Sequence, residues 1–295
     1  MNANDARAAV ELDVIVTGRL RMPHAYVFRP EGGNRLAHFA AVLRPGGEVL
    51  DGVCLAYVIR HPTAGTILVD TGFHPDARRD PRKDFGIRMS LVFRGMKYPD
   101  ASYEEQLREL GVDPAAVERV VMTHLHVDHT SGMRLLPNAR FVCAREEWRA
   151  ATGRGSGGRG YVSGHLPGEN RMELVDFDGG EHGPFSQTID LLGDGSVRLI
   201  STPGHTRGHI SLLLRMAGDR QVVIVGDAVY TLRSMREEIL PLLTEGDELY
   251  MRSLRELKAF SEREPDAIIV PSHDPDAWRE LSAVTPSAER TPAGA

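Results

Sequence analysis

Apolar residues along this chain fall mostly in short runs bounded by glycine, proline and acidic residues. That pattern predicts strands more often than long helices. GVCLAYVIRH (52–61) and GTILVDTG (65–72) are separated only by Pro62, Thr63 and Ala64, which predicts a β-hairpin. VERVVMT (117–123) and ARFVCA (139–144) read as buried strands, as do VRLISTPGH (197–205), HISLLLRM (209–216), QVVIVGDA (221–228) and DAIIVPSH (266–273). Helical signals interrupt them. SYEEQLRELG (102–111) closes on Gly111, Asp113 can cap a turn that begins at Pro114, and EEWRAA (146–151) starts another helix. DELYMRSLRELKAFS (247–261) carries Tyr250, Leu254, Leu257 and Phe260 at helical spacing and should pack on a sheet. The alternation predicts two β-sheets with helices outside, built from two similar halves, in one domain over residues 10–282.

Other stretches break the pattern. Residues 1–9 and the tail AVTPSAERTPAGA (283–295) are expected to be loose. GRGSGGRG (153–160) is a flexible loop by composition. Between His74 and Pro99, Arg78, Arg79, Arg82 and Lys83 form a basic part, and Phe85, Ile87, Met89, Leu91 and Phe93 make every other position apolar. This segment is either a surface excursion packed on the body, at a homodimer interface, or a flap that receives an acyl chain over a catalytic site.

Composition narrows the function. With 295 residues, 41% of them hydrophobic, the chain can bury a large core. A formal net charge of −6 argues against a nucleic-acid partner. No basic leader precedes a long apolar stretch, and no apolar run approaches the ~20 residues that span a bilayer, so a cytoplasmic protein without membrane contact is expected. The two cysteines, Cys54 and Cys143, lie far apart in apolar runs and read as buried thiols.

The chemistry concentrates in THLHVDH (123–129). Neutral imidazole and carboxylate suit zinc and similar divalent ions. In an extended segment His124 and His126 would point the same way, towards one ion, leaving Asp128 and His129 for a second. Further donors stand at the ends of later strands: His205, Asp227 and His273. They complete two shells, His124, His126, His205 and Asp227 for one ion, and Asp128, His129, His273 and Asp227 for the other. Asp227 would bridge the ions and leave room for a shared hydroxide.

LVDTG (68–72), THLHVDHTSG (123–132), TPGHTRGH (202–209) and GDA (226–228), in that order, resemble the landmarks of the metallo-β-lactamase superfamily. The resemblance covers roughly residues 50–275. It implies a four-layer αββα sandwich, in the α/β (α+β) class, with the metals at one edge of the two sheets. It also implies that Asp70, Thr123 and His209 support the ligands from behind.

Within that superfamily the zinc β-lactamases usually lack the bridging aspartate, and many have Arg or Cys where this chain has His129 and Asp227. The flavo-diiron reductases replace the second histidine by Glu, where this chain keeps His126. Hydroxyacylglutathione hydrolases add a sizeable C-terminal helical region, and the tRNA-processing nucleases an RNA-binding arm; neither is visible here. Tyr230, at +3 from Asp227, resembles the tyrosine of the quorum-quenching N-acyl-homoserine lactone lactonases. That likeness implies two divalent ions, zinc first, with iron, manganese or cobalt as alternatives. It implies ring opening by a metal-bridging hydroxide, with Tyr230 donating to the carbonyl and Asp128 protonating the leaving alkoxide. The substrate would be a small acyl lactone or ester. Other dinuclear hydrolases acting on aryl esters, thioesters or phosphodiesters share the ligand set, and a metal-bearing binding protein or a mononuclear iron oxygenase would use the same fold.

Overall fold

The computed structural model describes residues 8–283 and 285. Residues 1–7, 284 and 286–295, which hold most of the termini expected to be loose, lie outside the described residues. The strands are β1 (Glu11–Pro23), β2 (Val49–His61), β3 (Gly65–Val69), β4 (Arg119–Val121), β5 (Arg140–Ala144), β6 (Met172–Val175), β7 (Thr188–Asp190), β8 (Val197–Ser201), β9 (Ile210–Arg215), β10 (Gln221–Gly226) and β11 (Ile268–Pro271). The helices are α1 (His24–Val27), α2 (Arg35–Val42), α3 (Pro75–Arg79), α4 (Pro81–Val92), α5 (Tyr103–Glu109), α6 (Val127–Thr130), α7 (Arg145–Thr152), α8 (Leu232–Arg236), α9 (Asp247–Arg263) and α10 (Pro275–Ser282).

The first six strands form one sheet in sequence order, antiparallel from β1 to β3 and parallel from β3 to β6. The second sheet runs β11-β10-β9-β8-β7, with only β10 and β11 parallel. The expected hairpin is β2–β3, in register from Tyr57 opposite Val69 to His61 opposite Gly65.

Strand periodicity builds the layers. On β2, Val53, Leu55, Tyr57 and Ile59 join Leu199, Leu212, Leu214, Val222 and Ile224 in the core between the sheets. The alternate residues Ala56 and Val58 face outward, into a cluster with Tyr103 and Leu107 of α5 and Trp148 and Ala151 of α7. Behind the second sheet, Tyr250, Leu254, Leu257 and Phe260 of α9 pack on Leu213, Val223, Val225 and Ile269. Helices therefore cover both outer faces, giving the αββα order.

One predicted strand shortens, and two segments without a predicted form fold as a strand and as helices. β1 pairs along its whole length with β2 and buries Asp13, whose carboxylate binds Arg60; the interleaved polar residues hid this strand. VERVVMT narrows to Arg119–Val121. The 74–99 segment is helical: Gly86 takes φ 74° and kinks α4. The every-other-residue apolar pattern is two faces at a spacing of four, with Phe85, Met89 and Phe93 packed inward and Ile87 and Leu91 exposed.

Candidate metal centre

The loops that follow β4, β8, β10 and β11 meet at one edge of the sandwich and carry the histidines and aspartates singled out above. Ligand sites at strand carboxyl ends are the rule for parallel arrangements.

The HxHxDH run reaches this edge by a different route from the one its spacing suggests. The strand stops at Val121, so His124 lies in a loop, His126 is the residue preceding α6 (φ −70°, ψ 162°), and Asp128 and His129 lie within α6. The imidazoles of His124 and His126 stand nearly perpendicular, at 84°. They converge nonetheless: nitrogens of His124, His126 and His205 all lie within 4.8 Å of one another. His126 Nδ1 is 2.8 Å from His205 Nε2.

Asp227 sits at the centre. Its Oδ2 is 3.4 Å from His205 Nε2, 4.0 Å from His124 Nε2 and 3.2 Å from His273 Nε2. Its Oδ1 is 3.5 Å from His129 Nε2. Asp128 Oδ2 lies 3.7 Å from His129 Nε2 and 3.8 Å from His273 Nε2. Thus His124, His129, His205 and His273 lie within 4.0 Å of the Asp227 carboxylate, with His126 beside His205 and Asp128 beside His129 and His273.

The donor set fits divalent cations. His124 Nε2, His129 Nε2 and Asp227 Oδ1 are buried without a hydrogen-bond partner. A stranded buried polar atom costs about 1–3 kcal/mol each, and three facing one space are accounted for by cations. Burial, with neighbouring imidazoles adding to it, holds His124 and His205 well below the ordinary histidine value, so both present neutral lone pairs. Burial also opposes charge on His129 and His273, but Asp70 and Asp128 around the first, and Asp227 beside the second, outweigh it and raise both well above that value.

The supporting residues have defined partners. Asp70, at φ 56°, accepts from Thr123 N at 2.8 Å, Thr123 Oγ1 at 2.7 Å and His129 Nδ1 at 2.7 Å. This fixes the tautomer of His129 and turns Nε2 inward. His273 Nδ1 bonds the Val53 carbonyl at 2.8 Å with the same result. His209 accepts from Asp227 N through Nε2 at 3.0 Å, so its Nδ1–H donates to Thr202 Oγ1 at 2.9 Å. Burial pushes its pKa down to about 3, in keeping with a neutral ring. Gly226 lies under that ring at φ +62°, where a Cβ would come 2.7 Å from His209 Nε2.

Two participants escaped the sequence reading. Glu147, fully buried, accepts from Leu125 N at 2.9 Å and Gly208 N at 3.3 Å, tying the loop of His124 and His126 to the loop of His205. A Cβ on Gly208 would collide with the Glu147 backbone. No local pattern marks this acid, since its partners lie far away in sequence. Cys54 is buried as expected, but it lies beside Asp128 and His273.

Tyr230 is 2% exposed. Its hydroxyl lies 3.2 Å from His205 Nδ1 and 3.5 Å from Tyr26 Oη, and burial above all raises its pKa, so it stays a neutral phenol. The inward face of α4 packs beside Cys54: Phe85 joins Phe73, Phe93 and Val127 there, and Asp84 anchors α4 to Ser131 (2.6 Å) and Arg134.

The metallo-beta-lactamase superfamily matches residues 49–273. The N-acyl homoserine lactonase AttM of Agrobacterium fabrum is 34% identical over 225 residues, covering 75% of this chain and 82% of that protein. An N-acyl homoserine lactonase of a Bacillus species is 28% identical, over 84% and 92%. A solved N-acyl homoserine lactone hydrolase with N-hexanoyl-L-homoserine at its catalytic metal centre superposes with a TM-score of 0.70 at 23% identity, covering 92% of this chain and 96% of that one. Match and fold together place the assignment beyond motif likeness: the chain belongs to the metallo-beta-lactamase superfamily.

Proposed function

We propose that this protein is a dinuclear metal-dependent hydrolase that opens the ring of N-acyl-homoserine lactones. The observation that carries the reading is Tyr230 Oη held 3.2 Å from His205 Nδ1, at the rim of the convergent donors. The relatedness to lactonases at 34% identity over most of both chains supports it.

In this reading His124, His126, His205 and Asp227 hold one ion, and Asp128, His129, His273 and Asp227 the other. Zinc is the first choice, as in a related dizinc lactonase (TM-score 0.58); iron, manganese and cobalt suit the same donors. Two bound divalent ions would bring the pKa of a shared water towards neutrality and polarise the ester carbonyl.

The chain's own groups do the rest. With His205 Nε2 directed inward, its Nδ1–H donates to the Tyr230 oxygen, which leaves the phenolic hydrogen free for the lactone carbonyl as negative charge develops there. Asp128 orients the attacking water, takes its proton as the new C–O bond forms, and passes that proton to the ring oxygen as the acyl C–O bond breaks. The product is an N-acyl-homoserine, and one proton is released near neutral pH. Phe93, half-buried and packed against the buried Phe73 and Phe85, would offer an apolar wall to the acyl chain.

Mass-spectrometric detection of ring-opened product from short- and long-chain lactones tests the proposal, with an Asp227→Ala protein as the blank. Product from the metal-reconstituted protein alone is expected. Cleavage of aryl esters, thioesters or phosphodiesters with lactones untouched would assign the site to another hydrolase of the superfamily. No helix among the described residues is long and apolar enough to cross a membrane, and the proposed substrate is a small molecule.

A further inference from the structure

We propose that Cys54 is a thiolate donor to the ion held by Asp128 and His273, giving that site a mixed sulfur, nitrogen and oxygen shell. The inference rests on the metal-centre reading above, but neither the motif nor the ligand set drawn from it includes a cysteine.

Cys54 lies on β2, next to Val53, whose carbonyl fixes His273. Its Sγ, a carboxylate oxygen of Asp128 and a nitrogen of His273 all fall within 4.8 Å of one another. The three residues are 2%, 7% and 4% exposed. A second feature points into the same space. His129 Nε2, on a side chain 3% exposed, has no hydrogen-bond partner and lies 3.7 Å from Asp128 Oδ2. Asp227 Oδ1, likewise unpartnered, lies 3.5 Å from that nitrogen. Asp128 joins the two sets: one of its carboxylate oxygens lies within 4.8 Å of the Cys54 sulfur, and its Oδ2 lies 3.7 Å from the unpartnered His129 nitrogen.

On binding, the Cys54 S–H bond breaks, a sulfur–metal bond forms and the proton leaves to solvent, with no change of oxidation state. A soft thiolate favours zinc and cobalt over manganese and magnesium. The two ions of the centre would then differ in kind, one held by imidazole and carboxylate alone, the other also by sulfur.

Cobalt reports this directly. Metal-free protein is loaded with Co2+ under reducing, anaerobic conditions, its cobalt content is measured, and its near-ultraviolet spectrum is recorded. A thiolate-to-cobalt charge-transfer band is expected in the wild type. It should persist in Cys143→Ala, because Cys143 lies in the outer cluster behind the first sheet. It should vanish in Cys54→Ser. The chain has only two cysteines, so a band in Cys143→Ala assigns the ligand even if Cys54→Ser fails to fold. Wild-type protein that holds two cobalt ions and opens lactones without the band overturns the proposal and leaves the lactonase reading standing. A band surviving in folded Cys54→Ser also overturns it. Failure to retain cobalt removes the metal centre and this ligand together.

Discussion

Asp70 Oδ2 lies 2.7 Å from His129 Nδ1 and, through the same carboxylate, holds the backbone and hydroxyl of Thr123. One side chain thus orients a proposed ligand and the start of the loop that carries His124 and His126. Its left-handed backbone (φ 56°) tolerates asparagine better than most residues. Asp70→Asn should keep the fold and weaken metal affinity by about 10–100-fold, read by competition with a chromophoric chelator. Unchanged affinity would make Asp70 a folding residue only.

Tyr230→Phe removes the phenol and keeps the ring, so both ions should remain. The loss in kcat should reach roughly 10²-fold, the order seen for one oxyanion donor, with KM for the lactone little affected. Full-rate turnover would reduce Tyr230 to packing against Tyr26 and His273.

Glu147→Gln exchanges one acceptor oxygen for an amide donor, which would face Leu125 N or Gly208 N. We expect a loss of about 1–3 kcal/mol for the unmatched buried group, measured by denaturant unfolding of the metal-loaded protein, together with faster metal loss to a chelator. Wild-type values in both would show that the two loops do not depend on this clamp.

Metal binding should release protons. Without an ion, the carboxylates raise His129 and His273 well above the ordinary imidazole value, so binding must displace protons from them. The sign follows: affinity rises as pH climbs through those raised values and levels off above them. Calorimetry in two buffers of different ionisation enthalpy counts the protons, and pH-independent affinity would contradict protonated imidazoles at these two positions.

Phe93→Ala opens the apolar wall at a half-buried position. The ratio of kcat/KM for long- over short-chain lactones should fall. An unchanged ratio would leave α3 and α4 as a packed excursion with no part in recognising the acyl group.

How much of the fold and the site was legible in the sequence follows from where each interaction lives. His124 to His129 were visible because donors crowd one short stretch, and His205, Asp227 and His273 because each ends an apolar strand. The geometry joining them was less visible. Period-two logic put His124 and His126 on an extended strand, whereas β4 ends at Val121 and the motif turns into α6. The alternation from Phe85 to Phe93 did not reveal α4, where Gly86 breaks the helix and two four-residue spacings interleave. Glu147 and the surroundings of Cys54 were invisible, because their contacts span residues remote in sequence. β1 was hidden by Asp13, whose burial is offset by Arg60 on the paired strand.

If lactone opening needs two ions held around Asp227, zinc stoichiometry tests it most directly. Metal-free protein should be titrated with zinc while proton release from N-hexanoyl-homoserine lactone is followed. Negligible rate without zinc and a plateau at two equivalents per chain are expected, with Asp227→Ala inactive throughout. A full rate without metal, or a plateau at one equivalent, would contradict a two-ion mechanism.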